Sequence, residues 1–149
     1  MATSTLMNTT KAALLSYYFR RVDMSDTYRP QTFYFGLSST EPLADGSGVT
    51  EPTIGSTTGY ARVAVAGNTT NFTEPTSSSS WYTTNASVIE FPEVVVDCGT
   101  MNYIFISTAA TGGNIVAMTK LTTSRPMPAE SKLTFPAGEL KFTFLNATT

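Results

Sequence analysis

The sequence from Gly99 to Leu121, GTMNYIFISTAATGGNIVAMTKL, predicts a β-hairpin at the centre of the fold. Its two apolar halves are separated by Thr111–Asn114, which contains two glycines, and tight turns between twisted strands need the positive φ that glycine adopts easily. The side chains of the first half alternate between two apolar faces, Tyr103 with Phe105 and Ile104 with Ile106. Because a half-exposed strand would alternate apolar with polar residues, both faces of this strand are expected to be covered.

The second half of the hairpin and the segments around it predict further short strands. Within Ile115–Leu121, strict alternation puts Ile115, Ala117 and Leu121 on one face and Val116, Met118 and Lys120 on the other. Turn residues separate the remaining candidate strands, which are Thr32–Ser38, Tyr60–Ala66, Trp81–Thr84, Val88–Phe91, Leu133–Phe135 and Leu140–Leu145. About seven or eight such strands predict an all-β fold, an antiparallel β-sandwich of the jelly-roll or immunoglobulin-like type.

One helix is predicted over residues 5–22, with Asn8 or Thr9 as its cap. Its apolar residues recur at helical spacing and form an aromatic face. The residues of this face that are expected to serve as an assembly interface are Leu14, Leu15, Tyr18 and Phe19. Two interpretations remain open, because the face can pack on the chain's own sandwich or be buried against a neighbouring subunit.

The composition limits the classes of partner. The 149 residues suit a single domain spanning 1–149. Charged residues make up only 13%, and the net charge of −2 gives no basic surface for a nucleic-acid backbone. No apolar run approaches the ~20 residues of a membrane span, and no secretory signal opens the sequence. Partners are therefore expected to include neither nucleic acid nor a membrane, and synthesis is expected in a cytoplasm.

The residue types present argue against catalysis, metals and cofactors. The sequence has no histidine and a single cysteine, Cys98, which excludes imidazole-based triads and thiolate zinc sites. Asp45 and Glu51 lack the spacing of a calcium loop, so a solvated turn is favoured. Carboxylate pairs for glycoside hydrolysis lack surrounding aromatic platforms; the candidates are Glu90 with Glu93 and Glu130 with Glu139. Arg62 is expected to pair with Glu51 or Glu74.

A second function class rests on exposed aromatic residues. Trp81 and Tyr82 are candidate receptor contacts, because aromatic rings present large rigid surfaces for stacking on sugars. Two long polar segments, Ser39–Gly59 and Gly67–Ser80, are expected to flank them. This alternative makes the chain a receptor- or carbohydrate-binding module.

Several stretches, taken in order, make the chain resemble small virion structural proteins of tailed bacteriophages, of the tail fibre protein type. They are LLSYYFRR, FYFGLSSTEPLADGSGVTEP, GYARVAV, NFTEP, TNASVIEFPE, GTMNYIFISTAATGGNIVAMTKLTT and LTFPAGELKFT. Together they cover most of residues 14–144. The chain departs from this pattern at Cys98, where an aromatic residue is expected, and at Thr108, where a charged residue often stands.

The resemblance implies a β-sandwich module that assembles on the particle surface, often as a trimer. It implies a non-enzymatic structural component of the virion, made in the host cytoplasm and associated with copies of itself and with capsid, neck or tail proteins. Similar modules can decorate or cement a capsid, cap a baseplate or sit at the neck.

Overall fold

A computed structural model describes residues 4–21, 23, 30–77 and 81–143. Within these ranges the chain forms one helix and ten strands, in the order β1 (Ser4–Leu6), α1 (Asn8–Arg20), β2 (Thr32–Ser38), β3 (Val63–Ala66), β4 (Thr76–Ser77), β5 (Trp81–Thr84), β6 (Ile89–Glu90), β7 (Thr100–Ser107), β8 (Ile115–Pro126), β9 (Thr134–Phe135) and β10 (Lys141–Thr143). The predicted all-β fold with one helix is confirmed. The strands outnumber the seven or eight expected, because very short ones such as β1 and β4 also pair.

The strands form three antiparallel sheets. The largest has the order β1-β8-β7-β2-β3, the second has the order β10-β5-β4, and β6 pairs with β9. Phe35 and Ile104 of the large sheet belong to the same buried cluster as Phe142 of β10 and Phe135 of β9. The main core therefore lies between the large sheet and the two smaller ones, as in a β-sandwich.

Strand β7 is covered on both faces, as the sequence predicts. Ile104 and Ile106 lie in the main core, while Phe105 belongs to a second buried cluster with Met7 and Met118. Ile104, Phe105 and Ile106 are each at most 5% exposed. The strand is also hydrogen-bonded to β2 on one edge and to β8 on the other.

The predicted alternation along β8 is wrong at its start, because the strand carries a β-bulge. Ile106 pairs with Ala117 and Ser107 pairs with Ile115, so Val116 is an extra residue opposite the β7 strand. Because of the extra residue, Ile115 and Val116 point to the opposite faces of the sheet from those that strict alternation along β8 predicts. Val116 therefore joins Ala117 in the main core, and Ile115 packs against the second cluster.

The helix is shorter than the predicted 5–22. Residues Ser4–Leu6 instead form β1 and pair with Ala117–Thr119 of β8, because this pairing satisfies their backbone groups in the sheet. The N-cap is Met7, without a side-chain hydrogen bond, rather than Asn8 or Thr9. Arg21 ends the helix in the left-handed conformation, and residue 22 lies outside the described residues.

The bounds of two other predicted strands, Thr32–Ser38 and Trp81–Thr84, are confirmed. The predicted strand Tyr60–Ala66 begins only at Val63. Of Leu140–Leu145, the structure shows Lys141–Thr143 as a strand, and residues 144 and 145 lie outside its description.

Candidate assembly surface

The first turn of α1 is anchored where β8 carries its bulge. The backbone N–H of Met7 donates to the carbonyl oxygen of Val116 at 3.0 Å, and the Thr10 hydroxyl donates to the same oxygen at 3.1 Å. The N–H of Asn8 donates to the carbonyl oxygen of Ala44 at 2.9 Å. The bonds from Met7 and Asn8 use backbone N–H donors that the start of a helix leaves without partners inside the helix, and the Thr10 side chain adds a third bond. The sheet therefore holds the helix at its beginning.

The second half of α1 extends past the sheet. Tyr17 lies about two turns beyond Thr10 and hence on the same side of the helix, yet Thr10 is buried and Tyr17 is exposed. Leu15, Tyr18 and Phe19 are 58%, 78% and 75% exposed. The rings of Tyr18 and Phe19 meet edge to face, with 5.2 Å between their centroids. We call Leu15, Tyr17, Tyr18 and Phe19 the helix tip.

The four residues predicted to form an assembly interface lie in different environments. Leu14 is partly buried and lines a groove beside the helix. Leu15, Tyr18 and Phe19 belong to the exposed helix tip. Packing on the chain's own sandwich thus accounts for Leu14 and leaves the other three uncovered. Burial of the tip against a neighbouring molecule stays a prediction.

An apolar groove, which we call the interlayer groove, lies between α1 and the three-stranded sheet. Its main part encloses about 430 Å³ and is lined by Leu6, Thr10, Leu14, Phe33, Phe72, Thr83, Ile106, Val116, Ala117 and Phe142. An adjoining part is lined also by Pro75, Tyr82 and Thr143. The described residues that line both parts include no charged side chain. Sequence reasoning missed this groove, because its walls come from segments far apart in the chain.

Of the two predicted receptor contacts, the structure describes the side chain of Tyr82. The ammonium group of Lys141 lies 3.7 Å from the centroid of the Tyr82 ring. This cation–π contact covers one face of the ring, and Tyr82 also lines the interlayer groove. The side chain of Trp81 lies outside the described residues. Receptor binding through this pair stays a prediction.

The long segment Ser39–Gly59 is fixed by a buried ion pair. Arg62, which directly precedes β3, donates to both carboxylate oxygens of Glu51, at 2.9 and 2.8 Å. The Tyr60 hydroxyl donates to Glu51 at 2.9 Å and accepts the N–H of Leu37 at 2.8 Å. Burial, and then the Glu51 carboxylate, raises the pKa of Tyr60. The predicted pairing of Arg62 with Glu51 is confirmed, and its role is structural.

Three other candidate carboxylates, those of Asp45, Glu90 and Glu139, are engaged by neighbouring side chains. Asp45 accepts hydrogen bonds from the hydroxyl and N–H of Ser47, which lower the pKa of Asp45. Glu90 pairs with Lys132 at 2.8 Å, and Glu139 pairs with Arg125. In the part of the chain that the structure describes, no three acidic or cysteine side chains lie together as a metal site would need. Nor does any helix of that part combine the length and hydrophobicity needed to span a bilayer.

Comparison with known proteins identifies the family. No curated protein matches the sequence. The family model described as podophage GP4 fiber I protein gp80 matches residues 5–143, a range that takes in the helix, its tip and the strands from β2 to β10. The match agrees with the resemblance to tail fibre proteins. The chain therefore belongs to the podophage GP4 fiber I protein family and is a phage fibre-type component of the virion.

Proposed function

We propose that the protein is a non-enzymatic accessory component of the tail-fibre or decoration type, held in the virion by burial of its helix tip against copies of itself and neighbouring virion proteins. The observation that carries this proposal is the tip itself. Three aromatic rings and Leu15 are uncovered at the end of a helix whose beginning is firmly anchored. Tyr18 and Phe19 follow Leu15 by three and four residues, so the three side chains share one face of the helix, and contiguous exposed apolar patches mark interaction sites on soluble proteins.

The size of the tip favours contacts that are repeated. An aromatic side chain buries roughly 150–250 Å², so the exposed parts of the three rings amount to on the order of 400 Å². At ~25 cal/mol per Å² their burial contributes roughly 10 kcal/mol, which is comparable with the ~4–15 kcal/mol that association costs in lost freedom. One tip alone gives a marginal complex, and several contacts in one assembly give a stable one.

A homotrimer supplies this repetition. In a closed ring each copy contributes one tip and receives another, so that every copy is held on two sides. Leu14, Leu15, Tyr18 and Phe19 are the interface residues under this proposal. The same arrangement suits a protein that decorates or cements a capsid, caps a baseplate or lies at the neck.

The test removes apolar surface from the tip and follows the protein into particles. In a combined Leu15→Ser, Tyr18→Ser and Phe19→Ser variant, the number of copies per purified particle is expected to fall at least tenfold, because the buried apolar area is lost. The folded chain should keep its circular dichroism spectrum, since these side chains are exposed. Quantitative mass spectrometry of the particles measures the loss.

The control changes equally exposed apolar residues elsewhere, Leu43→Ser, Val88→Ser and Val95→Ser. Their side chains are 56–58% exposed, which resembles the exposure of Leu15. This control variant should be incorporated normally. Normal incorporation of the tip variant, or the same loss for both variants, would contradict the proposal.

A further inference from the structure

We infer that the interlayer groove receives the helix tip of a second copy of the chain, so that copies join head to tail. This inference rests on the proposed function, because it takes the tip to be a contact surface. The chain itself covers several apolar groove residues only in part, namely Leu6, Leu14, Phe33 and Phe72. Tip and groove are therefore two incompletely covered apolar surfaces on one molecule.

The lining of the groove suits an apolar side chain better than a polar small molecule. Small-molecule sites usually present a few converging polar groups that orient the ligand. The Thr10 hydroxyl already donates to the carbonyl oxygen of Val116, and the Thr83 hydroxyl donates to the carbonyl oxygen of Thr73 at 2.8 Å. The groove thus offers apolar contact area, and aromatic or aliphatic side chains match it.

The tip of the same molecule does not fill its own groove. Leu14 of α1 forms part of the groove wall, whereas none of the three aromatic tip residues lines the groove. Tyr17, Tyr18 and Phe19 lie further along the helix axis and remain 49%, 78% and 75% exposed in the folded chain. The tip that occupies the groove is therefore inferred to come from another copy.

A symmetric contact between two tips is less favourable than tip insertion. Standard stable interfaces bury ~800 Å² per partner, about twice the apolar area that the aromatic rings of one tip expose. A tip-to-tip dimer would also leave the groove open. Insertion buries the tip and the groove walls together, and it engages every copy at two surfaces when the ring closes.

Charged residues near the helix tip and near the groove favour one orientation of the inserted helix. Arg20 and Arg21 follow the tip directly and are exposed. Glu74 precedes Pro75 of the groove and makes no ion pair with the residues that the structure describes. Lys141 contacts the ring of Tyr82, which is another residue of the groove lining. The inserted helix is thus favoured with its arginines towards Glu74 and away from Lys141.

The experiment cross-links two differently tagged chains in a Cys98→Ser background. One chain carries Phe19→Cys at the tip and the other carries Thr83→Cys in the groove. A disulfide needs Cα atoms about 4.4–6.8 Å apart, so mild oxidation reports which surfaces meet. The mixture is expected to give a 19–83 heterodimer on non-reducing gels at least tenfold more abundant than the product of Phe19→Cys with Thr57→Cys, an exposed control position.

The possible outcomes separate the inference from the proposed function. Predominant 19–83 cross-links support tip insertion. Predominant 19–19 cross-links, or a purified chain that stays monomeric and gives no cross-link above the control, would overturn it. Neither of these results affects the test of the proposed structural role, which is the incorporation of the tip variant into particles. Circular dichroism of each single-cysteine chain verifies that it is folded before mixing.

Discussion

At the scale of single residues, Arg62 joins three parts of the chain that are distant in sequence. Its guanidinium pairs with Glu51 of the long polar segment and donates to the carbonyl oxygens of Ala109 and Gly112 in the hairpin loop, at 2.8 and 2.7 Å. It also lies over the ring of Phe105, 5.1 Å from its centroid. The side chains of Arg62 and Glu51 are only 7% and 13% exposed. This pair fixes the segment that covers the second face of β7.

Arg62→Ala is expected to lower the free energy of unfolding by ~3–5 kcal/mol, because it leaves the largely buried Glu51 carboxylate without a partner of opposite charge, with only the Tyr60 hydroxyl still donating to it. Chemical denaturation measures the change. Lys132→Ala is the matched control, since its pair with Glu90 is 51% exposed on both sides and exposed pairs contribute little. Equal unfolding midpoints for the two variants would show that the Arg62 pair does not stabilise the fold.

The sequence predicted the pair of Arg62 with Glu51 only in part. The sequence shows that a lone arginine near a strand needs an acidic partner, and it offers both Glu51 and Glu74. The choice depends on the path of Ser39–Gly59, which has no regular secondary structure and is set by tertiary hydrogen bonds such as that from Ser39 to Thr50. Local pattern carries no information about that path.

At the scale of elements, β2 and β7 fit together through a glycine. Gly36 pairs directly with Phe105. A Cβ atom at position 36 would lie 2.3 Å from Cζ of Phe105, a distance that no packed side chain tolerates. The absent side chain therefore makes room for the ring on the face of the sheet that the Ser39–Gly59 segment covers.

Phe105→Ala is expected to cost ~3–5 kcal/mol of stability, through the lost apolar transfer and the cavity that remains beside Gly36. Thermal or denaturant unfolding measures it. Tyr103→Ala on the same face of β7 should cost clearly less, because Tyr103 is only partly buried. A loss for Phe105→Ala no larger than that for Tyr103→Ala would mean that this face is not packed as described.

Elements with a strong local signal were predictable, and elements created by pairing were not. In Thr32–Ser38 and in the central hairpin, apolar residues either alternate with polar ones or follow each other without interruption, and turn residues flank both segments. Ser4–Leu6 carries no strand pattern and becomes β1 only because β8 presents a free edge. The bulge at Val116 likewise follows from the match between β7 and β8, which alternation along one strand does not reveal.

At the scale of the whole molecule, apolar surface is distributed unevenly. The main core is closed by aromatic contacts such as Phe35 with Phe142 and Phe91 with Phe135. Among the described residues, the helix tip is largely exposed and the apolar walls of the interlayer groove are only partly covered. The helical period predicted an aromatic face on α1, but it did not show which part the chain itself covers, because that depends on how far the sheet extends beneath the helix.

The unfolding temperature of the protein is expected to rise with its concentration, because association that favours the folded chain stabilises it by mass action. Differential scanning calorimetry over about two decades of concentration measures the trend. The combined Leu15→Ser, Tyr18→Ser and Phe19→Ser variant should unfold at a constant temperature. The same concentration dependence in both proteins would assign association to another surface.

The pairing of β1 with β8 has a consequence for synthesis on the ribosome. Ser4 pairs with Thr119, so at ~5–20 residues per second the nascent helix emerges roughly 6–20 s before its anchoring strand. Phe142, which completes the groove lining, emerges later still. With head-to-tail joining, a growing chain exposes its tip long before it can accept one. A growing chain can therefore dock its tip only on a copy that has itself been made through β10, and two equally unfinished neighbours cannot link.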